Sequence, residues 1–206
     1  MQKKWVLLIA VASVVIVLDQ WSKYVVLREL TTAFDASDAF GERLHIFTSD
    51  APSPGFDGYH FRQKRTVTVS ESFMRLRYAE NPGAAFGLFR GLPDGLRGPL
   101  FHLVSIGAVF LILHYFRKLN GSKEEVWAVA GLPLVLGGAI GNYLCRLSRS
   151  FVIDFIDAHW KDDPSLVWPS FNIADSAIVV GVGLLVIDSF VRKENNKKVA
   201  VPEPAE

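Results

Sequence analysis

The 206-residue chain contains one cysteine, Cys145, and two methionines. A lone thiol excludes an internal disulfide, a cysteine-based zinc site and a dithiol redox pair. Excess charge of either sign is also missing. Twenty-two Lys and Arg face 21 Asp and Glu, for a formal net charge of +1, and nothing marks a nucleic-acid-binding surface. The five histidines, at 45, 60, 102, 114 and 159, are scattered and form no H-E-x-x-H, so zinc-dependent hydrolysis is not expected. No G-x-S-x-G elbow is present for a serine nucleophile, and Cys145 has no histidine near it in sequence. There is no internal repeat.

What the chain does have is apolar residues in blocks. Half of it is hydrophobic and its mean hydropathy is +0.25, with the charges sitting between the blocks. About 20 helical residues cross the roughly 30 Å of a bilayer core. Four stretches qualify, at about 5–27, 99–116, 126–144 and 171–191. Nine basic residues flank these spans on one side. They are Lys3 and Lys4, then Arg117, Lys118 and Lys123, then Arg192, Lys193, Lys197 and Lys198. The positive-inside rule puts both termini in the cytoplasm and residues 28–98 and 145–170 outside. All five tryptophans fall near predicted span ends. Trp5 and Trp127 lie inside, and Trp21, Trp160 and Trp168 outside, as an interfacial belt requires. A cleaved leader is disfavoured, because Asp19-Gln-Trp-Ser-Lys23 follows the first apolar run where a small-x-small site belongs.

The expected organisation is a membrane domain over 1–192 and a disordered cytoplasmic tail over 193–206. Residues 31–65 read as an irregular external insertion, with Pro52, Pro54, Gly55 and Gly58. Residues 66–78 alternate in the manner of extended structure, one face apolar and the other basic through Arg75 and Arg77. A Gly-rich, turn-like stretch follows at 81–89.

Charges at membrane depth cost at least about 2.5–3.5 kcal/mol each on insertion scales, so each needs a reason. Asp19 and Lys23, four apart, can pair along one helix face. Asn142, Cys145 and Arg146 share a face at the end of the third span. Asp154 sits within the apolar run Phe151-Val-Ile-Asp-Phe-Ile. Asn172 and Asp175 open the fourth span, where acids also suit a helix N-terminus. Asp188 lies deeper, beside Arg192 at i+4, and reads as structural. With the stated orientation, Asp19, Asn142, Arg146, Asp154, Asn172 and Asp175 all reach the outer membrane surface. Polar groups from three spans and one loop meeting at one depth mark a candidate site. Two carboxyls held close share a proton, so that one activates water and the other donates a proton. Asp154 and Asp175 fit that aspartic-protease chemistry.

Five co-linear motifs then resemble the lipoprotein signal peptidases, the type II signal peptidases of bacteria. They are Asp19-Gln20-x-x-Lys23, Asn81-x-Gly-Ala-Ala-Phe86, Gly141-Asn142 with Arg146, Val152-Ile-Asp154-Phe155-x-Asp157, and Phe171-Asn172-x-Ala-Asp175-x-x-Ile178. The resemblance covers nearly the whole chain. It implies an all-α membrane protein of four transmembrane helices with a small extracytoplasmic β-cradle, built between the first two spans. It implies an inner-membrane aspartic endopeptidase acting at the periplasmic surface on diacylglyceryl-modified prolipoproteins, cutting just before the lipidated cysteine. Asp154 and Asp175 match the catalytic dyad; Asp19, Lys23, Asn81, Asn142, Arg146 and Asn172 match supporting or substrate-lining positions. No cofactor or metal is implied, and the expected partners are lipidated substrates and membrane lipids, with the protein a monomer. Three departures stand out. Cys145 replaces a usual Asp, Pro82 replaces a common Thr, and the 31–65 segment is longer than usual. Cys145 motivates an alternative, a catalytically weak homologue that binds lipidated proteins without cleaving them. An ion-coupled carrier fits less well, since only Asp188 lies deep and a carrier needs polar groups across the midplane.

Overall fold

The computed structural model describes residues 2–49, 58–83, 93–161 and 167–200, except the side chains of residues 94 and 193–200. Four of its helices are long and apolar enough to cross a membrane: α1 (Gln2–Leu30), α3 (Asp94–Lys118), α4 (Val126–Arg149) and α5 (Ile173–Ala200). They are the four spans of the sequence, and each is longer than its apolar run. The polar flanks continue the helices because they find partners there. Lys4, for example, is buried and donates to the carbonyls of Phe116 (3.1 Å), Arg117 (3.3 Å) and Leu119, closing the end of α3. Orphan C-terminal carbonyls are thereby satisfied by a cation that also suits the helix dipole.

The C-terminal half of α5, at the same end of the bundle, shows the same logic. Asp188 pairs with Arg192 at 2.7 Å and accepts the Ala128 N–H at 3.2 Å. Glu125 gathers the backbone N–H groups of Asn120, Gly121 and Ser122 at 2.7, 2.7 and 3.3 Å. The deep carboxylate is thus structural, as its spacing predicts. The helical backbone of α5 runs on to Ala200, past residue 193, where the sequence reading starts a disordered tail. The segment Lys193–Ala200 holds no Gly or Pro that would end a helix.

α4 is the most enclosed helix and packs on α1, α3 and α5. With lipid as apolar as leucine, helices in a bilayer associate where small residues let backbones approach. Gly138 is such a point: a Cβ there would lie 2.4 Å from the Ala174 carbonyl oxygen of α5. Gly138→Ala is therefore expected to cost about 1–3 kcal/mol of stability, whereas Gly107→Ala, with nothing within 4 Å, is expected to be neutral. Thermal unfolding of the two variants in the same detergent checks this.

At the opposite end from Lys4 the chain builds a three-stranded antiparallel sheet in the order β1 (Val67–Ser70), β2 (Met74–Asn81), β3 (Val152–Ala158). β1 and β2 are the predicted extended region folded into a hairpin. β3 carries the apolar run around Asp154 and lies inside the segment expected only to be a loop. Its register places Ala79 opposite Asp154, Asn81 opposite Val152 and Arg75 opposite Asp157. The basic face of β2 is not left to solvent, since Arg75 and Arg77 reach the buried Asp157 with Nε at 2.8 and 2.6 Å.

The described parts of the 31–65 insertion, residues 31–49 and 58–65, are more regular than its composition suggests. It contains a helix, α2 (Phe40–Thr48). Its ends close on each other through Thr32 N–H to Arg62 (2.9 Å) and Lys64 N–H to the Leu30 carbonyl (2.8 Å). Phe34 and Phe47 then bury against Leu27, Leu30, Tyr78, Phe151, Ile153 and Phe155. Pro52, Pro54 and Gly55, which mark the insertion as irregular in the sequence, and the motif residues Ala84, Ala85 and Phe86 lie outside the described residues.

Candidate active site

The site forms where the sheet meets the bundle, and one short connection positions it. Phe171 pairs with β3: its N–H donates to the Ile156 carbonyl at 3.0 Å, and its own carbonyl accepts from Phe155 and Ile156 at 3.0 and 2.9 Å. The next residue, Asn172, caps α5. Its Oδ1 accepts the Asp175 N–H at 3.0 Å, while Asp175 Oδ2 accepts the Asn172 N–H at 3.1 Å. This reciprocal pair is a capping box built from Asn and Asp. The helix-capping role open to these two residues in the sequence is thus real, and it also delivers Asp175 to the site.

Among the described residues each oxygen of each carboxylate has one donor. Asp154 Oδ1 accepts from Asn172 Nδ2 at 2.7 Å, and Oδ2 from Asn81 Nδ2 at 3.1 Å. Asp175 Oδ1 accepts from Asn142 Nδ2 at 2.7 Å, and Oδ2 from the Asn172 N–H. Asn172 therefore holds both acids, one by its side chain and one by its backbone. Asn142 turns its oxygen the other way, accepting from Lys23 Nζ at 3.0 Å and Asn172 Nδ2 at 3.1 Å. Asn81 is fixed by its own turn, taking the Gly83 N–H on Oδ1 at 3.0 Å.

Behind these amides stands a buried ion pair. Lys23 Nζ lies 2.7 Å from Asp19 Oδ2, and neither side chain has any exposure. Asp19 Oδ1 also accepts the Ala174 N–H at 3.1 Å, in the first turn of α5. Gly141 leaves room for this carboxylate, since a Cβ there would meet Asp19 Oδ2 at 2.7 Å. Asp19 thus joins α1, α4 and α5, and Lys23 carries positive charge from it towards the two acids.

Asp154 lies on β3, outside the spans, and its carboxyl is pushed up to about 7. Burial is the largest cause and the Asp175 charge the second; the Asn81 and Asn172 hydrogen bonds and Lys23 oppose them. Near neutrality Asp154 accordingly still carries a proton in a substantial share of the molecules, as a general acid must.

Arg146 reaches the site differently from the carboxamides. Nη2 donates to the Gly83 carbonyl at 3.1 Å and the guanidinium lies 4.7 Å from the Phe101 ring centre. It binds the loop after Asn81 and neither acid directly. Cys145 is buried beneath Gln20, whose amide lies 3.7 Å from Sγ. That amide also donates to Asp19 Oδ2 and the Gly141 carbonyl, both at 2.9 Å. Asp19 and a helix carbonyl thus supply the acceptors around the thiol, while Asp157 is engaged elsewhere, by Arg75 and Arg77. Among the described residues no group of three His, Cys, Asp or Glu could hold a metal.

All eight sequence-derived site residues lie at this end of the bundle, with Asp19, Lys23, Asn81, Asn142, Asn172, Asp154 and Asp175 in one continuous network. Gln20 and Gly141 stand inside quoted motifs, but only the fold shows that they hold and seat Asp19. The Phe171 pairing to β3 has no sequence signal beyond its place before the capping Asn.

Known proteins resemble the chain in sequence and in fold. The family model for signal peptidase (SPase) II matches residues 11–191. A lipoprotein signal peptidase of Anaeromyxobacter sp. (strain Fw109-5) is 46% identical over 188 residues, covering 89% of this chain and 84% of that protein. One from Shewanella loihica (strain ATCC BAA-1088 / PV-4) is 42% identical over 158 residues, covering 75% and 88%. A bacterial membrane enzyme solved by the in meso method superposes with a TM-score of 0.61 at 23% identity, over 97% of this chain and 93% of its own. A second such structure gives 0.57 at 24% identity, over 87% and 90%. These two share the fold. The chain is a multi-pass membrane protein and belongs to the signal peptidase II family, a family of aspartic proteases.

Proposed function

We propose that the chain removes signal peptides from diacylglyceryl-modified prolipoproteins, cutting just before the lipidated cysteine. In this reading it lies in the bacterial inner membrane, with both termini cytoplasmic and Asp154 and Asp175 at the periplasmic surface. The observation that carries the reading is Asn172, which holds Asp154 through its amide and Asp175 through its backbone N–H. Two carboxyls fixed to one residue can face one water between them. Asp175, as carboxylate, takes a proton from the attacking water. Asp154, as acid, protonates the scissile carbonyl oxygen to give a gem-diol; the proton held by Asp175 then passes to the leaving amine as the C–N bond breaks, and the gem-diol returns a proton to Asp154. Substrate lying in the bilayer would reach this site without leaving the membrane, because the acids sit at the end of the spans.

The pH dependence has a defined sign. The protonated form of Asp154 is the active one and its carboxyl titrates at about 7. Turnover is expected to fall as pH rises through that region, and a rate flat from pH 6 to well into the alkaline range would contradict the assignment of Asp154 as acid. The activity itself is tested with purified protein and two versions of one prolipoprotein, with and without the diacylglyceryl group. Intact-mass measurement is expected to find a new N-terminal lipidated cysteine from the first and no cleavage of the second. Binding of the lipidated form without cleavage would favour the non-cleaving alternative.

A further inference from the structure

Beyond Leu76, β2 has no β1 residue opposite it, because the β1 pairing spans only Val67 to Ser70 against Met74 to Leu76. The last residues of β2, which carry Asn81 to Asp154, are held by β3 on one side only. On the other side lies the insertion. The His60 N–H donates to Glu80 Oε1 at 2.6 Å, and the His60 ring Nδ1 lies 2.6 Å from Glu80 Oε2. The Tyr78 hydroxyl adds a third hydrogen bond to Oε1 at 2.6 Å. The His60 ring stacks on Phe151 with centroids 4.7 Å apart and planes 16° from parallel. Phe151 stands just before β3, and Glu80 pairs with Ile153, the neighbour of Asp154.

We infer that His60 is a positioning residue for the dyad: by gripping Glu80 and stacking on Phe151, it fixes the end of β2 so that Asn81 keeps its hydrogen bond to Asp154. The inference rests on the dyad proposed above and assigns the insertion a part in it. The grip is strong for its size, because hydrogen bonds to a charged acceptor contribute more than neutral ones. It is also well shielded, since Tyr78 is buried and Glu80 nearly so. Burial and the Glu80 charge hold the Tyr78 hydroxyl above its ordinary range, so it stays a donor. Tyr59 and Arg149 are the other titratable or charged groups around this cluster. Around Asp154 they are Asp175, Lys23 and, across the site, Arg146. None of them substitutes for the His60 ring as a donor to Glu80 Oε2.

The consequence is a titration and not only a loss of rate. Asn81 donates to the charged form of Asp154, so loosening it leaves the carboxyl harder to ionise. The test uses the full chain in lipid nanodiscs and three variants, His60→Ala, His60→Asn and Tyr78→Phe. His60→Ala is expected to lower kcat about tenfold with KM within about twofold. It is also expected to move the alkaline limb of the pH profile up by about half a pH unit. His60→Asn, which keeps a donor near the Nδ1 position, is expected to restore most of both. Tyr78→Phe, which removes the other side-chain donor to Glu80, shifts the limb the same way by less and serves if His60→Ala does not fold. An isotope-edited infrared titration of the Asp154 carboxyl, identified by its loss in Asp154→Asn, reads the same upward movement without any substrate. The inference is overturned if the titration and the pH limb stay at the wild-type position in His60→Ala and Tyr78→Phe, whatever happens to melting temperature or rate. A wild-type protein that does not cleave would refute the proposed function, and the infrared titration would then decide this inference alone.

Discussion

Lys23→Met is expected to destabilise the folded protein by about 3–5 kcal/mol, the cost of leaving a buried charge without its partner. Among the described residues Asp19 would keep the Gln20 amide and the Ala174 N–H, and Asn142 would lose the ammonium on its oxygen. Both members of the pair are fully buried, so water cannot take the place of the lost cation. Against a total stability of about 5–15 kcal/mol this is a large fraction. Asp19→Asn in the Lys23→Met background is expected to recover most of the loss. An amide oxygen can still accept from Ala174, and no charge is stranded. Activity is not expected to return with stability, because Lys23 also orients Asn142 towards Asp175. Thermal unfolding of wild type, single and double variants in one detergent measures the first effect, and a single variant melting with wild type would contradict it.

Asp154→Asn and Asp175→Asn are each expected to reduce cleavage to background, a loss of at least about 10²–10⁴-fold for the removal of a general acid or base. Asparagine preserves size and one acceptor. It cannot exchange the proton that the reaction moves from water to the leaving amine. The fold is expected to survive, since asparagine keeps the size of each acid and puts no charge into the buried Asp154 position. Melting temperatures near wild type, with activity gone, separate this prediction from the one for Lys23.

Much of the site was legible in the sequence because membrane depth makes polar residues conspicuous. An Asp in Val-Ile-Asp-Phe-Ile cannot be explained by solvent, and Asp19 with Lys23 has the spacing of one helix face. The spans followed from apolar length alone. Less legible was everything set by strand pairing. The bond from Asn81 to Asp154 depends on the register of β2 against β3, which local pattern does not specify. β3 reads as an apolar loop because it is seven residues long and almost wholly buried, so no polar alternation betrays a strand. α2 carries little signal in the sequence, because its nine residues are short for a helix and mix one buried Phe with exposed apolar side chains. Cys145 reads in the sequence as a gap in the site. Gln20 bridges over it to Asp19 and Gly141, a contact between helices that no spacing rule within one helix can show.

The central claim is that Asp154 and Asp175 together cut a lipidated substrate. Its most direct test is the single-turnover cleavage rate of one diacylglyceryl-modified prolipoprotein by purified wild type, Asp154→Asn and Asp175→Asn, with products read by intact mass and folding checked by melting temperature. The account predicts one product beginning at the lipidated cysteine from wild type, and none from either folded variant. Near-native turnover by either variant, or a cut elsewhere in the substrate, would contradict it.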